Sequence, residues 1–159
     1  MLYKLTDKDG LTQNGTQWGE GVTHKADTSY PADLCSPGVL HAYHSPLLAV
    51  LLNPIHAEFP PDTMRLWEAT GDVVVEDGLK VGCRSLTTIR EIPVPVVTLE
   101  MRARFGILAA LEVVTYEPWI EWANKWLDGT DRSEEAAVES ARGVARGVAR
   151  WAAREAAWT

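Results

Sequence analysis

The stretch from residue 64 to residue 92, MRLWEATGDVVVEDGLKVGCRSLTTIREI, decides the fold class of this chain. Apolar and polar side chains alternate in Met64–Ala69, Leu79–Cys83 and Ser85–Ile92, which is the period of half-buried strands. Glycines flank a further apolar run between the first two segments. The connections are too short for crossover helices, so neighbouring strands are expected to run antiparallel. This stretch therefore predicts an antiparallel sheet.

Shorter elements are predicted before this sheet. Three strands are expected, at Leu2–Thr6, Gly21–Lys25 and Val39–Tyr43. Ser45 can cap a short helix that has Pro46 at its first position, where a missing N–H costs nothing. Asn53-Pro54 is expected to end this helix, because a residue before proline disfavours helical geometry.

Helices are predicted after the sheet. Residues 97–114 place apolar side chains on one helical face, and Glu117-Pro118 opens a second helix that Asp128-Gly129 should end. Residues 131–158 indicate one long helix, with acidic side chains near its start and arginines near its end, as the helix dipole favours.

The sequence therefore predicts an α+β fold, in which an antiparallel sheet with a short helix precedes a helical section that ends in a long helix. Two domains are predicted, an α+β domain at 1–115 and a helical C-terminal extension at 116–159.

Composition and charge limit the classes of function. The chain has 159 residues, two cysteines and a formal net charge of −7 at pH 7. Such a chain is a poor sequence-independent nucleic-acid binder, because that binding depends on Lys and Arg against phosphates. The first residues run into charged positions rather than a signal peptide, and no stretch approaches the ~18 apolar residues of a membrane span. We therefore expect a cytoplasmic protein with reduced thiols, without nucleic-acid or membrane partners and without a cofactor.

Side chains with reactive chemistry crowd around residues 35–46. Those that could bind zinc are Cys35, His41 and His44, with Cys83 or His24 as a fourth ligand. Their spacing matches no standard structural-zinc pattern, so no metal site is expected. A Cys35–His41 nucleophile pair lacks an orienting third group and an oxyanion hole. The expectation is a partly buried His41 that hydrogen-bonds the backbone.

Several motifs occur in the order found in a family of uncharacterised domains common in bacteriophage and prophage proteins. They are Tyr3-Lys4…Asp7-Lys8-Asp9, Gly38…His41-Ala42…Pro46-Leu47, Leu66-Trp67-Glu68…Gly71 and Lys80…Thr88-Ile89-Arg90-Glu91-Ile92. The chain resembles this family over residues 1–92, and residues 136–158 resemble a short version of the Ala-rich repeats that often follow. Tyr43 stands where the family has a cysteine, so no role of that thiol transfers. The resemblance implies a phage or mobile-element origin and assigns no activity.

The order of elements also resembles the ADP-ribosyltransferase fold, in which NAD lies between split sheets and a late acidic residue polarises the sugar. This resemblance implies His41 and Tyr43 as nicotinamide-side contacts, and Glu91 or Glu112 as the acid. Against it, the first strand offers Tyr3-Lys4 where active members usually place Arg or His. Likeness of fold says little about function. An NAD-binding enzyme centred on His41 is therefore the alternative hypothesis.

Tryptophans and arginines of the helical section indicate an interaction surface, because exposed Trp is typical of binding hot spots. The predicted binding residues are Trp119, Trp122, Trp126, Arg146, Arg150 and Trp151. The three tryptophans of the second helix share one face, where core packing is the competing interpretation. The sequence thus predicts a small acidic phage-type protein, non-enzymatic, that binds a host or assembly protein, or a second copy of itself, through its C-terminal helices.

Overall fold

The computed structural model describes residues 1–156, without the side chains of Asn14, Pro54 and residues 146–156. The chain is an α+β protein, as predicted, with an antiparallel sheet and C-terminal helices. It divides into two compact units, Met1–Val97 and the residues from Thr98 onward. We call the first the sheet unit and the second the helical unit.

The sheet unit is built on one five-stranded antiparallel sheet. Its strands, together with a small separate hairpin, are β1 (Leu2–Thr6), β2 (Leu11–Thr12), β3 (Thr16–Gln17), β4 (Thr23–Lys25), β5 (Leu40–Ala42), β6 (Arg65–Glu76) and β7 (Val81–Ile92). The order is β1-β6-β7-β4, β5 also pairs with β7, and β2–β3 is the separate hairpin. The long β6–β7 hairpin is therefore the element on which the other strands of the sheet assemble.

The strands β6 and β7 are longer than the sequence predicts, because the four segments between residues 64 and 92 join into two strands. Gly71 lies inside β6 at a point where the strands approach closely. A Cβ at this position would stand 2.5 Å from the carbonyl oxygen of Ser85. The glycine therefore marks an irregularity in strand pairing and does not end a strand.

The sheet unit buries a contiguous apolar core. Its members are Leu2, Trp18, Ala42, Ala69, Val81, Cys83 and Leu86. Trp67 on β6 is also buried, and its Nε1–H donates to the Thr6 hydroxyl at 3.1 Å. This bond satisfies a polar atom that burial removes from water, and it fixes β1 against β6 through side chains.

Two short helices follow β5. Ser45 caps α1 (Pro46–Leu51) as predicted, and its hydroxyl accepts the backbone N–H of Leu48. This helix ends at Leu51, just before Asn53-Pro54, as predicted. A separate short helix, α2 (Asn53–His56), begins there, with Pro54 in its first turn, where proline needs no N–H partner. The buried Asn53 side chain exchanges two hydrogen bonds with the backbone of Phe59, which fixes the segment after α2.

The helical unit contains three helices, α3 (Leu99–Leu111), α4 (Glu117–Asp128) and α5 (Glu134–Ala156), among the described residues. Gly129 ends α4 as predicted, in the left-handed conformation with φ of 84° that glycine adopts most readily. None of the helices within residues 1–156 combines the length and apolar character that crossing a membrane requires.

The helix α3 belongs to the helical unit. Arg104 on α3 donates to the carbonyl of Leu127 at 3.2 Å, and Arg132 pairs with Glu100 at 2.8 Å. The compact units consequently divide at residues 97/98, whereas the sequence placed the domain boundary at 115/116.

The repeated Gly-Val-Ala-Arg segment of α5 contributes to helix packing through its first glycine. A Cβ at Gly143 would stand 2.7 Å from Cε1 of Tyr116, at the start of α4. The absence of a side chain at residue 143 therefore allows the Tyr116 ring to approach the helix backbone closely.

Candidate functional site

The sheet unit contains a cavity of about 570 Å³. Its walls come from β1, β5, the 26–39 loop, the β2–β3 hairpin and α2. The side chains with chemical reactivity on these walls are Lys4, Lys25, Asp27, Cys35, His41, Tyr43, His56 and Lys80. A cavity of this size suits a small-molecule ligand.

His41 lies on β5 opposite Gly82 of β7. Its Nε2 accepts the backbone N–H of Cys35 at 3.0 Å, so the neutral ring carries its proton on Nδ1. Burial, assisted by the charges of Lys80 and Lys4, lowers the pKa of His41 to about 4. At neutral pH the side chain is therefore an uncharged acceptor that orders the loop of Cys35, in agreement with the expected backbone bond.

Lys4 projects from β1 into the cavity wall. Its ammonium donates to the carbonyl of His41 at 2.7 Å and lies 5.0 Å from the centre of the Trp18 ring. Removal from water lowers the pKa of Lys4 to about 8, because desolvation penalises the charged form. Lys4 is thus a cation whose charge the protein stabilises only weakly.

Cys35 and Lys80 form the most unusual contact of the site. Cys35 is exposed and has a φ of 65°, a left-handed conformation uncommon for a residue with a side chain. Lys80 is only 9 % exposed, and its Nζ lies 2.9 Å from Sγ of Cys35. Asp77 places Lys80 by accepting its backbone N–H at 2.9 Å in the turn before β7. A buried amine is therefore directed at an accessible thiol.

Tyr43 and His56 form the opposite part of the site, where the Tyr43 hydroxyl and Nδ1 of His56 are 2.9 Å apart. The two rings stack with centres 6.0 Å apart. Burial, followed by the charge of Asp77, raises the pKa of Tyr43 to about 12, and burial lowers the pKa of His56. Both groups are therefore neutral at pH 7 and offer hydrogen bonds rather than charge.

The 26–39 loop is held by Arg84. The guanidinium donates to the carbonyls of Gly38 at 2.7 Å and Tyr30 at 3.1 Å. Gly38 is buried in the same region, where its backbone passes directly over the carbonyl of Pro31. Arg84 on β7 thus holds the loop that carries Cys35 in place. The loop packs so closely that residue 38 has no room for a side chain.

The structure brings together some of the predicted catalytic residues and separates others. His41 and Tyr43 both line the cavity. Glu91 does not, and it forms a two-bonded ion pair with Arg65 at 2.6 and 3.1 Å. Glu112 belongs to the helical unit. The acid of the NAD-based alternative is therefore not supplied by Glu91 at this cavity.

The histidines and cysteines considered for zinc lie in different environments. His44 pairs with Glu76 at 3.1 Å, His24 bonds the carbonyl of Gln17, and Cys83 is buried in the core. Within the described part of the chain, no three His, Cys, Asp or Glu side chains are grouped to hold a metal ion.

The predicted binding tryptophans are half-buried on α4. The rings of Trp119 and Trp122 are 5.8 Å apart, and the guanidinium of Arg132 lies 4.7 Å from the ring of Trp126. Arg146, Arg150 and Trp151 lie on α5, and their side chains fall outside the described residues.

Lys4, Lys80 and His56 were missed by sequence reasoning. Lys4 and Lys80 stand in segments that carry the family resemblance, but the resemblance assigns them no role, and His56 belongs to none of these segments. The three reach the cavity from β1, the β6–β7 turn and α2. The bridge between Tyr3 and Tyr43 is what brings Lys4 beside His41. This pairing joins residues that are 40 positions apart in the chain, so local sequence patterns do not reveal it.

The fold and the site together define an α+β protein with a cationic cavity that carries an accessible thiol. Comparison of the chain with protein-family models, curated proteins and solved structures finds no match.

Proposed function

We propose that the sheet unit binds a small anionic ligand in its cavity. The observation that carries the proposal is the charge of the walls: among the described residues, Lys4, Lys25 and Lys80 line the cavity with Asp27 as the only carboxylate. The whole chain, in contrast, has a net charge of −7. A cationic cleft in an acidic protein concentrates anions locally, because low-dielectric walls focus the field.

Two of the lysines donate to partners other than carboxylates: Lys4 to the carbonyl of His41 and Lys80 to the sulfur of Cys35. Within the part of the chain that the structure describes, none of the three forms an ion pair with a carboxylate. Asp27 instead accepts the backbone N–H and hydroxyl of Ser29. Phosphate and carboxylate groups are the ligands that ammonium groups without a carboxylate partner favour. Trp18 and Phe59 add apolar wall for the remainder of such a ligand.

We expect pyrophosphate, used as a probe, to bind the cavity, and Lys4→Met to weaken this binding roughly 10-fold, because one charge-assisted contact is lost. Lys8→Met is the matched control, since Lys8 is an exposed lysine paired with Asp9 and does not line the cavity. Affinity is measured by NMR titration, with the shifted amides mapping the site. Equal affinity of both variants, or shifts confined to other surfaces, would argue against the site.

We also expect anion affinity to fall as pH rises through about 8, the pKa to which burial lowers Lys4. Below this pH the ammonium is present and attracts the anion, and above it the amine is neutral. Sulfate is the probe, because its charge is constant across this range, and the measurement uses a Cys35→Ser background, in which the cavity has no thiol. When Lys4→Met is added, the fall in sulfate affinity near pH 8 should disappear. If the fall persists in this variant, another group is responsible for it.

A second proposal concerns the helical unit, for which we retain the phage-type interpretation: binding of a host or assembly protein, or self-association. It is supported by apolar side chains that the unit leaves in solvent, such as Leu99 and Val113, which are 84 % and 77 % exposed. Exposed apolar area of this kind is typical of interaction surfaces.

We expect Leu99→Ser/Val113→Ser in the full chain to reduce binding to a partner captured from host lysate, or to abolish self-association in sedimentation velocity. Leu47→Ser, which changes an exposed leucine of the sheet unit, is the control. If both variants behave as the unmodified chain does, these side chains take no part in binding.

A further inference from the structure

We propose that Cys35 and Lys80 are a modification site, at which hydrogen peroxide oxidises the thiol and the lysine amine then captures the sulfur in a reversible S–N cross-link. This chemistry does not depend on ligand binding in the cavity.

The first support is the arrangement of the two reacting atoms. Nζ of Lys80 lies 2.9 Å from Sγ of Cys35, although the residues are 45 positions apart in the chain. The backbone N–H of Cys35 is fixed by His41 and the backbone of Lys80 by Asp77. The backbones of both residues are therefore held in place, and small movements of the two side chains are enough to bring nitrogen and sulfur to bonding distance.

The second support is access. Cys35 is exposed, so peroxide can reach its sulfur, whereas Lys80 is nine-tenths buried and directed at that sulfur. No carboxylate forms an ion pair with Lys80 in the described part of the chain, so the amine has no competing anionic partner there.

The reaction balances in two steps. The sulfur attacks one oxygen of hydrogen peroxide and breaks the O–O bond, which gives a sulfenic acid and one water. Lys80 first gives one proton to solvent water; its amine nitrogen then attacks this sulfur, the S–O bond breaks, and the departing hydroxide takes a second proton from nitrogen and leaves as water. Sulfur has lost two electrons to peroxide. Two equivalents of a thiol reductant reverse the reaction, restoring the thiol and the amine and forming the reductant's own disulfide.

The second cysteine does not compete for the oxidant. Cys83 is fully buried in the core, and burial raises the pKa of its thiol to about 11. It is therefore a protonated, inaccessible sulfur and serves as an internal reference for the reactivity of Cys35.

The test is intact-protein mass spectrometry of the full chain after treatment with hydrogen peroxide. The cross-link removes two hydrogens, so the mass should fall by about 2 Da and return on addition of dithiothreitol. Trypsin cannot cut at a modified Lys80, so fragment 26–65, which contains Cys35, should be joined to fragment 66–84. A disulfide to Cys83 would instead join 26–65 to fragment 81–84, because Lys80 would remain cleavable.

Four variants complete the design, with folding verified by circular dichroism. Cys83→Ala and Lys25→Arg, the latter a matched change of another cavity lysine, should keep the cross-link. Cys35→Ser and Lys80→Arg should abolish it, and Lys80→Arg retains the positive charge. A gain of about 16 Da without joined fragments, or a joined 81–84 fragment, or a cross-link that survives Lys80→Arg, would overturn the proposal.

Discussion

Gly38→Ala should destabilise the sheet unit by about 3 kcal/mol, because the new methyl group has no space. A Cβ at residue 38 would overlap the carbonyl oxygen of Pro31 and stand 2.9 Å from that of Tyr30. Both obstacles are backbone atoms, so the 26–39 loop must move as a whole and the Arg84 hydrogen bond to Gly38 is strained or lost. We expect the calorimetric transition of the sheet unit to shift down by roughly 12–20 °C.

Gly19→Ala is the matched control for this experiment. A Cβ at Gly19 meets only the Val22 side chain, at an ordinary distance of 3.5 Å. Its effect should stay within about 0.5 kcal/mol. If Gly38→Ala and Gly19→Ala have the same melting temperature, the loop is not held against Pro31 as the structure has it.

Trp18→Ala should cost about 3–5 kcal/mol, the range for removing a fully buried tryptophan. Trp18 is 2 % exposed, and its Nε1–H donates to the Thr12 hydroxyl at 3.0 Å, which ties it to β2. The ring also packs edge-on against His24 at 4.7 Å and lies beneath the ammonium of Lys4. The substitution therefore opens the core and the cavity wall together, and urea unfolding of the variant should show a much lower midpoint.

Trp18→Phe separates these contributions. Phenylalanine keeps most of the buried apolar ring but loses the bond to Thr12, so we expect a smaller loss of about 1–2 kcal/mol. A Trp18→Ala protein as stable as Trp18→Phe would mean that the ring contributes little burial energy, contrary to its place in the core.

The fold class was accessible from the sequence because its signals are local. Alternation in residues 64–92 and the Ser45-Pro46 and Asp128-Gly129 signals each depend on a few neighbouring residues, and the structure confirms the elements that they predict. The strand boundary predicted at Gly71 was wrong, because glycine occurs both in turns and where two strands approach closely.

The site was only partly accessible. His41 and Cys35 attracted attention because they are neighbours in sequence, and the structure does place them in contact. Lys80 is separated from Cys35 by 45 positions, and its role depends on the pairing of β5 with β7. A lysine at the start of a strand is ordinarily a solvated residue, so nothing in its sequence context signals burial beside a thiol.

The central position of the β6–β7 hairpin has a consequence for the order in which the molecule assembles. The hairpin is local in sequence, whereas β1 must find β6 across about 60 intervening residues, at a greater cost in loop-closure entropy. The hairpin can therefore form early, with β1, β4 and β5 added afterwards. Since Lys4 and His41 lie on two of these later strands, the cavity is completed only in the last steps of folding.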